Sequence, residues 1–253
     1  MIQTLEIKFA APAGVKLTQS VCSLLHGVLM ENIDPAYADV LHTQNLRPYS
    51  QSFCYDKERN GLYWRINALN MQAKKELLAA AFALPEKVLL KQKNMELQIV
   101  GKEYLPATDY EALAEKYFAY PLEGKYLHMH FLTSCGFKSE GQYVIFPQPQ
   151  FVFGSLVKRW NTFADKNKLE ALGVAQDLAQ EVYVADYRLR LQAFSVDGAR
   201  IPAFRGDYML GMKNNLMSNR IIAMLGEYSN YCGIGIKTAL GMGAVRTELQ
   251  AKW

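Results

Sequence analysis

The stretch SFCYDKERNGLYWRIN, residues 52–67, has the pattern of two short strands joined by a tight turn. SFCYD and LYWRIN are rich in aromatic and apolar residues, and the segment KERNG between them is charged and ends in glycine, which is typical of a hairpin. A helical pattern precedes this hairpin and another follows it. The stretch therefore predicts a pair of adjacent strands at the centre of an alternating strand and helix order.

The segments outside the hairpin complete that order. Residues 2–9 alternate as a strand, and apolar residues recur at helical spacing from Leu17 to Leu29. A short helix, PAYADVLH, begins with Asp34 as its N-cap and Pro35 in its first turn. After the hairpin come a helix over about 71–82 and the strands KVLLK and MELQIV. The order is β-α-β-β-α-β, which is that of a ferredoxin-like domain.

The second half of the chain has a similar pattern. A strand YLHMHFLT is followed by a helix over about 151–165, strands near 181–197 and 203–213, a helix near 215–228 and a last strand. The segment YFAYPLEGKY, with Pro121 and Gly124, is typical of a domain boundary. We therefore predict an α+β protein of two tandem ferredoxin-like domains, residues 1–120 and 125–253, with a glycine-rich loop near the C-terminus.

Composition limits the class of protein. The chain of 253 residues has a net charge of +4, which allows a nucleic-acid partner but does not require one. The four cysteines are far apart and form no Cys-x-x-Cys pair, so we expect reduced thiols and no zinc site. Glu6 and Lys8 interrupt the apolar N-terminal segment, which argues against a signal peptide, and no run is long enough to span a membrane. We expect a cytoplasmic location.

The segment GIGIKTALGMGAV, residues 233–245, raises two interpretations. Glycines let a polyanion approach backbone N–H groups, which suggests a phosphate ligand. The spacing matches neither a Walker loop nor a dinucleotide-binding loop. The alternative is a corner between strands where glycines relieve crowding.

Five segments together resemble the CRISPR repeat-processing endoribonucleases of the RAMP superfamily: LLHGVL, DPAYADVLH, LRPYSQS, GQYVIFPQPQFVFGSLVKRWN and the glycine-rich segment. The resemblance runs nearly end to end and implies RAMP or RRM-like ferredoxin domains. It implies cleavage of CRISPR repeat RNA (pre-crRNA) with no metal ion and no cofactor, leaving a cyclic phosphate and a 5′-hydroxyl. Two further partners are compatible with it: a CRISPR effector complex, and a second copy of the chain in a homodimer.

The resemblance also implies a catalytic group. His42 closes the short helix and matches the usual catalytic histidine of the family, although by pattern alone it is a surface histidine at a helix end. His26 is a second candidate, and Arg47 is the candidate cation for the scissile phosphate. Several members of the family carry a tyrosine on the first helix, where this chain has Met30 and Glu31. Tyr49 or Tyr37 is the candidate to replace it.

A second set of residues is expected to hold RNA. Each cation in this set is also compatible with an ordinary solvated surface residue, and Arg159, on the apolar side of its helix, is compatible with a paired structural arginine. The candidates are Gly233, Gly235, Lys237, Thr238, Gly241, Gly243, Lys138, Lys158, Arg159 and Arg205.

The two remaining histidines lie close together in the sequence. His128 and His130 face the same side of a strand, but no third metal ligand is evident, and we expect a structural role or an RNA contact.

Two alternative functions remain open. A non-catalytic RNA-binding subunit of a CRISPR effector complex would have the same fold. A nucleotide-binding enzyme with a phosphate-holding glycine loop is a third class.

Overall fold

The computed structural model of the chain describes residues 1–11, 17–196 and 198–252. The chain divides into two compact units, and the first contains residues 1–107 together with the short segment 238–241. The second contains residues 108–237 and 242–253. Both units combine helices with an antiparallel sheet.

Unit 1 has the predicted β-α-β-β-α-β order, and its additional short strand is the predicted strand KVLLK. Its elements are β1 (Gln3–Phe9), α1 (Val21–Asn32), α2 (Pro35–Thr43), β2 (Tyr49–Asp56), β3 (Gly61–Ala68), α3 (Met71–Ala73), a π-helical turn (Lys74–Leu78), α4 (Ala79–Ala83), β4 (Lys87–Leu90) and β5 (Met95–Tyr104). The sheet order is β2-β3-β1-β5-β4. The predicted hairpin is therefore confirmed, and it lies at one edge of this sheet.

Local sequence explains where the first helices begin. The Asp34 carboxylate accepts hydrogen bonds from the backbone N–H groups of Ala36 and Tyr37, and Pro35 occupies the first turn of α2, as predicted. Helix α1 starts at Val21, four residues later than the apolar spacing suggests. Leu17, which precedes it, still packs against the core. Apolar spacing thus identified the residues that face the core more accurately than the helix start.

The core of unit 1 lies between its helices and its sheet. Leu25 and Leu29 of α1, Leu41 of α2 and Trp64 of β3 are fully buried. Burying each such side chain contributes about 1.5–3 kcal/mol. This core fixes α1 and α2 against the sheet, and with them the side chains that project from their polar faces.

Unit 2 has the second predicted ferredoxin-like arrangement. Its elements are α5 (Tyr110–Phe118), β6 (Tyr126–Cys135), β7 (Phe137–Ser139), β8 (Gln142–Val144), α6 (Pro149–Phe163), α7 (Val174–Gln180), β9 (Val182–Leu191), β10 (Phe194–Val196), β11 (Ala199–Ile201), β12 (Phe204–Met212), α8 (Leu216–Cys232) and β13 (Val245–Gln250). The main sheet has the order β13-β6-β12-β9. Helix α7 and the hairpins β7-β8 and β10-β11 were not predicted.

The boundary between the units differs from the predicted one at residues 120–125. Helix α5 belongs to unit 2, where the ring of Tyr110 meets Trp160 edge-on at 5.0 Å and packs against Tyr228 at 5.5 Å. The change of composition around Pro121 thus marks a loop within unit 2.

Two further features of the fold are the state of its cysteines and the nature of its helices. The four cysteines are all thiols, three of them buried and Cys54 half-buried. Among the described residues, no helix has the length and apolar composition that crossing a bilayer requires.

Candidate active site

Unit 1 brings His26, Arg47 and Tyr49 into one hydrogen-bonded cluster. His26 projects from α1, and Tyr49 is the first residue of β2. The Tyr49 hydroxyl lies 2.7 Å from Nδ1 of His26, and Nη1 of Arg47 lies 3.4 Å from Nε2 of the same ring. The two rings are nearly parallel, with centroids 6.2 Å apart. Three of the four predicted catalytic residues therefore touch.

The surroundings of His26 disfavour its charged form. Burial, followed by the positive charges of Arg47 and His42, lowers the pKa of the imidazole to about 4. His26 is therefore neutral near pH 7. At that pH the neutral imidazole is a weak base, and the charged form that would donate a proton is scarcely populated.

His42 lies in the last turn of α2, where the helix dipole favours a positive charge. Its ring is exposed, and its charge acts on His26. Arg47 is tied to the end of the same helix because its Nε donates to the carbonyl of Leu41 at 3.2 Å. The arginine and the exposed histidine are thus held at one end of α2.

The two candidate tyrosines have different surroundings. Tyr49 is fully buried, and this burial raises the pKa of its hydroxyl, which nevertheless contacts His26. Tyr37 is a core residue whose hydroxyl has no hydrogen-bond partner among the described residues. Burial raises the pKa of Tyr37 to about 12. Tyr37 is therefore a poor replacement for the missing first-helix tyrosine, while Glu31, at that place, forms an ion pair with Lys91 at 2.7 Å.

The glycine-rich segment uses its glycine N–H groups inside the protein. These groups donate to protein acceptors, namely Gly233 to Ser229 O, Gly235 to Ser155 Oγ, Gly241 to Thr238 O and Gly243 to Ser134 O. All four glycines are buried. The expectation that their N–H groups bind RNA therefore does not hold in this structure, because those donors are already bonded.

Crowding explains why glycine is needed at these positions. A Cβ at Gly243 would overlap the carbonyl of Ile234, and one at Gly241 would overlap Cys22. Gly241 and Gly243 also have positive φ angles of 101° and 68°. The corner interpretation of the segment accounts for both observations.

Sequence reasoning missed Gln51, which anchors the middle of this segment within unit 1. Residues Thr238–Leu240 form a 3-10 turn, and the buried Gln51 donates from Nε2 to the carbonyl of Ala239 at 2.6 Å. Gln51 in turn accepts from Nε1 of Trp64 at 2.7 Å. The available signal was a glutamine in a buried strand of LRPYSQS, since a buried amide needs partners.

The predicted RNA-contacting cations separate into exposed and buried groups. Lys138, Lys158 and Lys237 are exposed, and Arg205 is half-buried. Arg159 is only 4% exposed and donates from Nη2 to the carbonyl of Gly235 at 2.7 Å. This supports the structural alternative for Arg159, which holds the glycine-rich segment, whereas the exposed lysines stay predictions.

His128 and His130 share one carboxylate in unit 2. Nε2 of His128 lies 3.1 Å from Oδ1 of Asp207, and Nδ1 of His130 lies 2.6 Å from the same oxygen. Within residues 1–11, 17–196 and 198–252, no three His, Cys, Asp or Glu side chains form a group that could hold a metal ion. These contacts account for both histidines within the sheet of unit 2, and their role as structural residues or RNA contacts stays a prediction.

Comparisons with known proteins identify relatives of the chain. Residues 129–245 match the family model described as CRISPR-associated endoribonuclease Cas6. A CRISPR-associated endoribonuclease Cas6 of Mycobacterium tuberculosis is 30% identical over 97% of this chain and 77% of its own length. The corresponding protein of Streptococcus thermophilus is 28% identical over 91% of this chain and 92% of its own length.

Solved structures show the same fold. A Cas6 product complex superposes with a TM-score of 0.78 at 21% identity, covering 98% of this chain and all (100%) of the other. Thermus thermophilus Cas6 superposes with a TM-score of 0.74 at 19% identity, with 98% of each chain covered. At these identities the likeness supports the tandem ferredoxin-like fold alone.

Proposed function

This chain belongs to the family of CRISPR-associated endoribonucleases Cas6, so it is an enzyme that cuts pre-crRNA, and we propose how it does so. In the proposed reaction, a 2′-hydroxyl of the repeat attacks the adjacent phosphorus, and no metal ion takes part. A bond forms between the 2′ oxygen and phosphorus, and the bond between phosphorus and the 5′ oxygen breaks. The products are a 2′,3′-cyclic phosphate and a free 5′-hydroxyl.

One of the two proton transfers of this reaction is assigned to His42. The 2′-hydroxyl loses a proton and the departing 5′ oxygen gains one, and His42 takes part in one of these transfers as general base or general acid. Histidine is the side chain most often used for either task, and such help is worth about 10²–10⁴-fold in rate. The observation that carries this assignment is that His42 is exposed, whereas His26 has both ring nitrogens in contact with neighbours.

Arg47 is assigned to the phosphate. Negative charge grows on the non-bridging oxygens as the 2′ oxygen attacks, and a fixed guanidinium stabilises that charge more in the transition state than before it. Its bonds to Leu41 and His26 fix the arginine in place. A guanidinium has five N–H groups, so donors remain for the phosphate.

Repeat RNA is the proposed substrate and binding partner. The exposed cations Lys138, Lys158 and Lys237 are proposed to contact its backbone, because phosphate contacts position a nucleic acid without reading its sequence. The tandem ferredoxin-like fold, shared with a Cas6 product complex, supports this.

Single-turnover cleavage of the organism's own CRISPR repeat RNA in excess EDTA tests the proposed reaction. We expect cleavage at one position, and we expect a single 2′-deoxy substitution before that position to abolish it without weakening binding. Treatment of the products with a phosphatase and a kinase should show a cyclic phosphate and a free 5′-hydroxyl. Binding without cleavage in EDTA, or cleavage of the 2′-deoxy RNA, would show that the mechanism is wrong.

Two partners and the location are further hypotheses. We propose that the product passes to a CRISPR effector complex in the cytoplasm, and that a homodimer is the assembly to test. Light scattering across a range of protein concentrations, with and without repeat RNA, measures the mass of the protein assembly. A mass equal to one chain throughout would rule out the homodimer.

A further inference from the structure

We propose that His26 is a positioning residue, with its proton on Nδ1, that holds the Arg47 guanidinium against the scissile phosphate. This inference rests on the role proposed above for Arg47. It assigns to His26 a task that needs no proton transfer.

The identity of the donors fixes the tautomer of His26. A guanidinium has only N–H donors and no acceptor, so the contact between Nη1 of Arg47 and Nε2 of His26 at 3.4 Å requires a lone pair on Nε2. The single proton of the neutral ring then lies on Nδ1. That N–H donates to the hydroxyl oxygen of Tyr49 at 2.7 Å.

Burial and charge keep the ring in this form. A protonated His26 would place an N–H of Nε2 against the N–H of Arg47, and both Arg47 and His42 repel the added charge. Burial has the larger effect and these charges the smaller one, and together they lower the pKa of His26 to about 4. In the neutral form, the lone pair of the ring is used by Arg47 and the proton is used by Tyr49.

The consequence is a chain of contacts that orients Arg47. Tyr49 is fully buried at the start of β2 and does not move without disturbing the core. It sets the orientation of the His26 ring, and the ring sets the position of Nη1. The bond from Nε of Arg47 to the carbonyl of Leu41 fixes the other side of the guanidinium.

Three substitutions of His26 separate positioning from proton transfer. His26→Gln retains an acceptor near the position of Nε2, His26→Asn retains a donor near the position of Nδ1, and His26→Ala retains neither. We expect His26→Gln to cleave within about 10-fold of wild type, whereas His26→Asn and His26→Ala lose about 10²–10³-fold, the usual cost of one transition-state contact. The rates are measured in single turnover with saturating protein, and melting temperatures identify variants that do not fold.

The rate of His26→Gln is also the result that can overturn this inference. If His26 transfers a proton in the reaction, glutamine cannot replace it, and a folded His26→Gln that binds repeat RNA would be as slow as His26→Ala. The pH profile gives a second readout, since a positioning role predicts parallel profiles for wild type and His26→Gln between pH 5 and 8.

A measurement on the protein alone separates this inference from the proposed function. Nitrogen-15 NMR of the histidine side chains, with His26→Gln used to assign the resonance, reports the tautomer directly. We expect a protonated Nδ1 and an unprotonated Nε2 that persist to about pH 5, in keeping with the pKa of about 4. A proton on Nε2, or titration near pH 6.5, would refute the inference, whereas failure of wild type to cleave in EDTA would refute only the proposed reaction.

Discussion

Nη1 of Arg47 donates to Nε2 of His26 at 3.4 Å while Nε of the same arginine donates to the carbonyl of Leu41. These bonds join Arg47, which lies two residues before β2, to α1 and to the end of α2. The guanidinium is therefore held from two sides, and its orientation should matter as much as its charge.

Arg47→Lys tests this difference, because lysine keeps the charge but has no planar fork. We expect the single-turnover rate to fall at least about 10-fold for Arg47→Lys and about 10²–10³-fold for Arg47→Ala. Binding of 2′-deoxy repeat RNA should change much less than the rate. Equal rates for Arg47→Lys and wild type would show that charge alone is sufficient and that the fixed geometry contributes nothing.

Lys237 is exposed, with a positive φ of 53°, next to glycines whose N–H groups are used inside the protein. If its ammonium contacts a phosphate, Lys237→Ala should weaken repeat binding at low salt. The slope of log affinity against log salt should then fall by about 1. Filter binding at several salt concentrations measures this slope, with Lys75→Ala, an exposed lysine of unit 1, as the control. Equal effects of the two substitutions would remove Lys237 from the RNA contacts.

Gly243→Ala should destabilise the fold. A Cβ there would overlap the carbonyl of Ile234, and the φ angle of 68° disfavours alanine. We expect a loss of about 2 kcal/mol or more in the free energy of unfolding. Gly154→Ala is the matched control, since its Cβ would meet no atom within 4 Å and it lies inside α6; alanine should stabilise that helix by up to about 1 kcal/mol. Equal unfolding free energies for the two variants would contradict the packing explanation.

Glu6 gives unit 1 a predictable pH dependence. Its carboxylate accepts from Nη1 of Arg59 at 2.6 Å and from Nε of Arg65 at 2.9 Å. Burial raises its pKa, but the hydrogen bonds from the two arginines outweigh burial and hold the pKa below its ordinary value. The stabilisation is therefore present above the unfolded pKa of about 4.3 and is lost as the pH falls through the folded pKa.

Glu6→Gln should accordingly lower the unfolding free energy by about 1–3 kcal/mol at pH 7. The difference in unfolding free energy between Glu6→Gln and wild type should narrow progressively below about pH 4. Urea unfolding across pH 3–7 measures both quantities. Glu96→Gln, which removes an exposed pair with Lys87, should cost less than about 1 kcal/mol at any pH. A gap for Glu6→Gln that stayed constant down to pH 3 would refute the assigned pKa direction.

The fold was predictable because its signals are local. The hairpin of residues 52–67, the Asp34–Pro35 helix start and the apolar spacing in α1 are each specified by neighbouring residues. The β7-β8 hairpin was not predictable in this way. Its turn needs positive φ at both Glu140 and Gly141, at 50° and 80°, and glutamate is an unusual residue for that conformation.

The site was predictable only in part. His26, His42, Arg47 and Tyr49 could be chosen as candidates from the sequence, but the contacts among three of them could not, because contacts between α1 and β2 depend on packing. The glycine-rich segment was harder still. The use of its N–H groups depends on Ser134 and Ser155, which lie far from it in sequence.

The role of His42 in proton transfer is tested by the single-turnover cleavage rate of His42→Ala in EDTA, with Gln44→Ala, an exposed residue at the C-cap of the same helix, as the control. We expect His42→Ala to bind repeat RNA normally and to cleave it about 10²–10⁴-fold more slowly, while Gln44→Ala stays close to wild type. Cleavage by His42→Ala at the wild-type rate would contradict the assignment of proton transfer to His42.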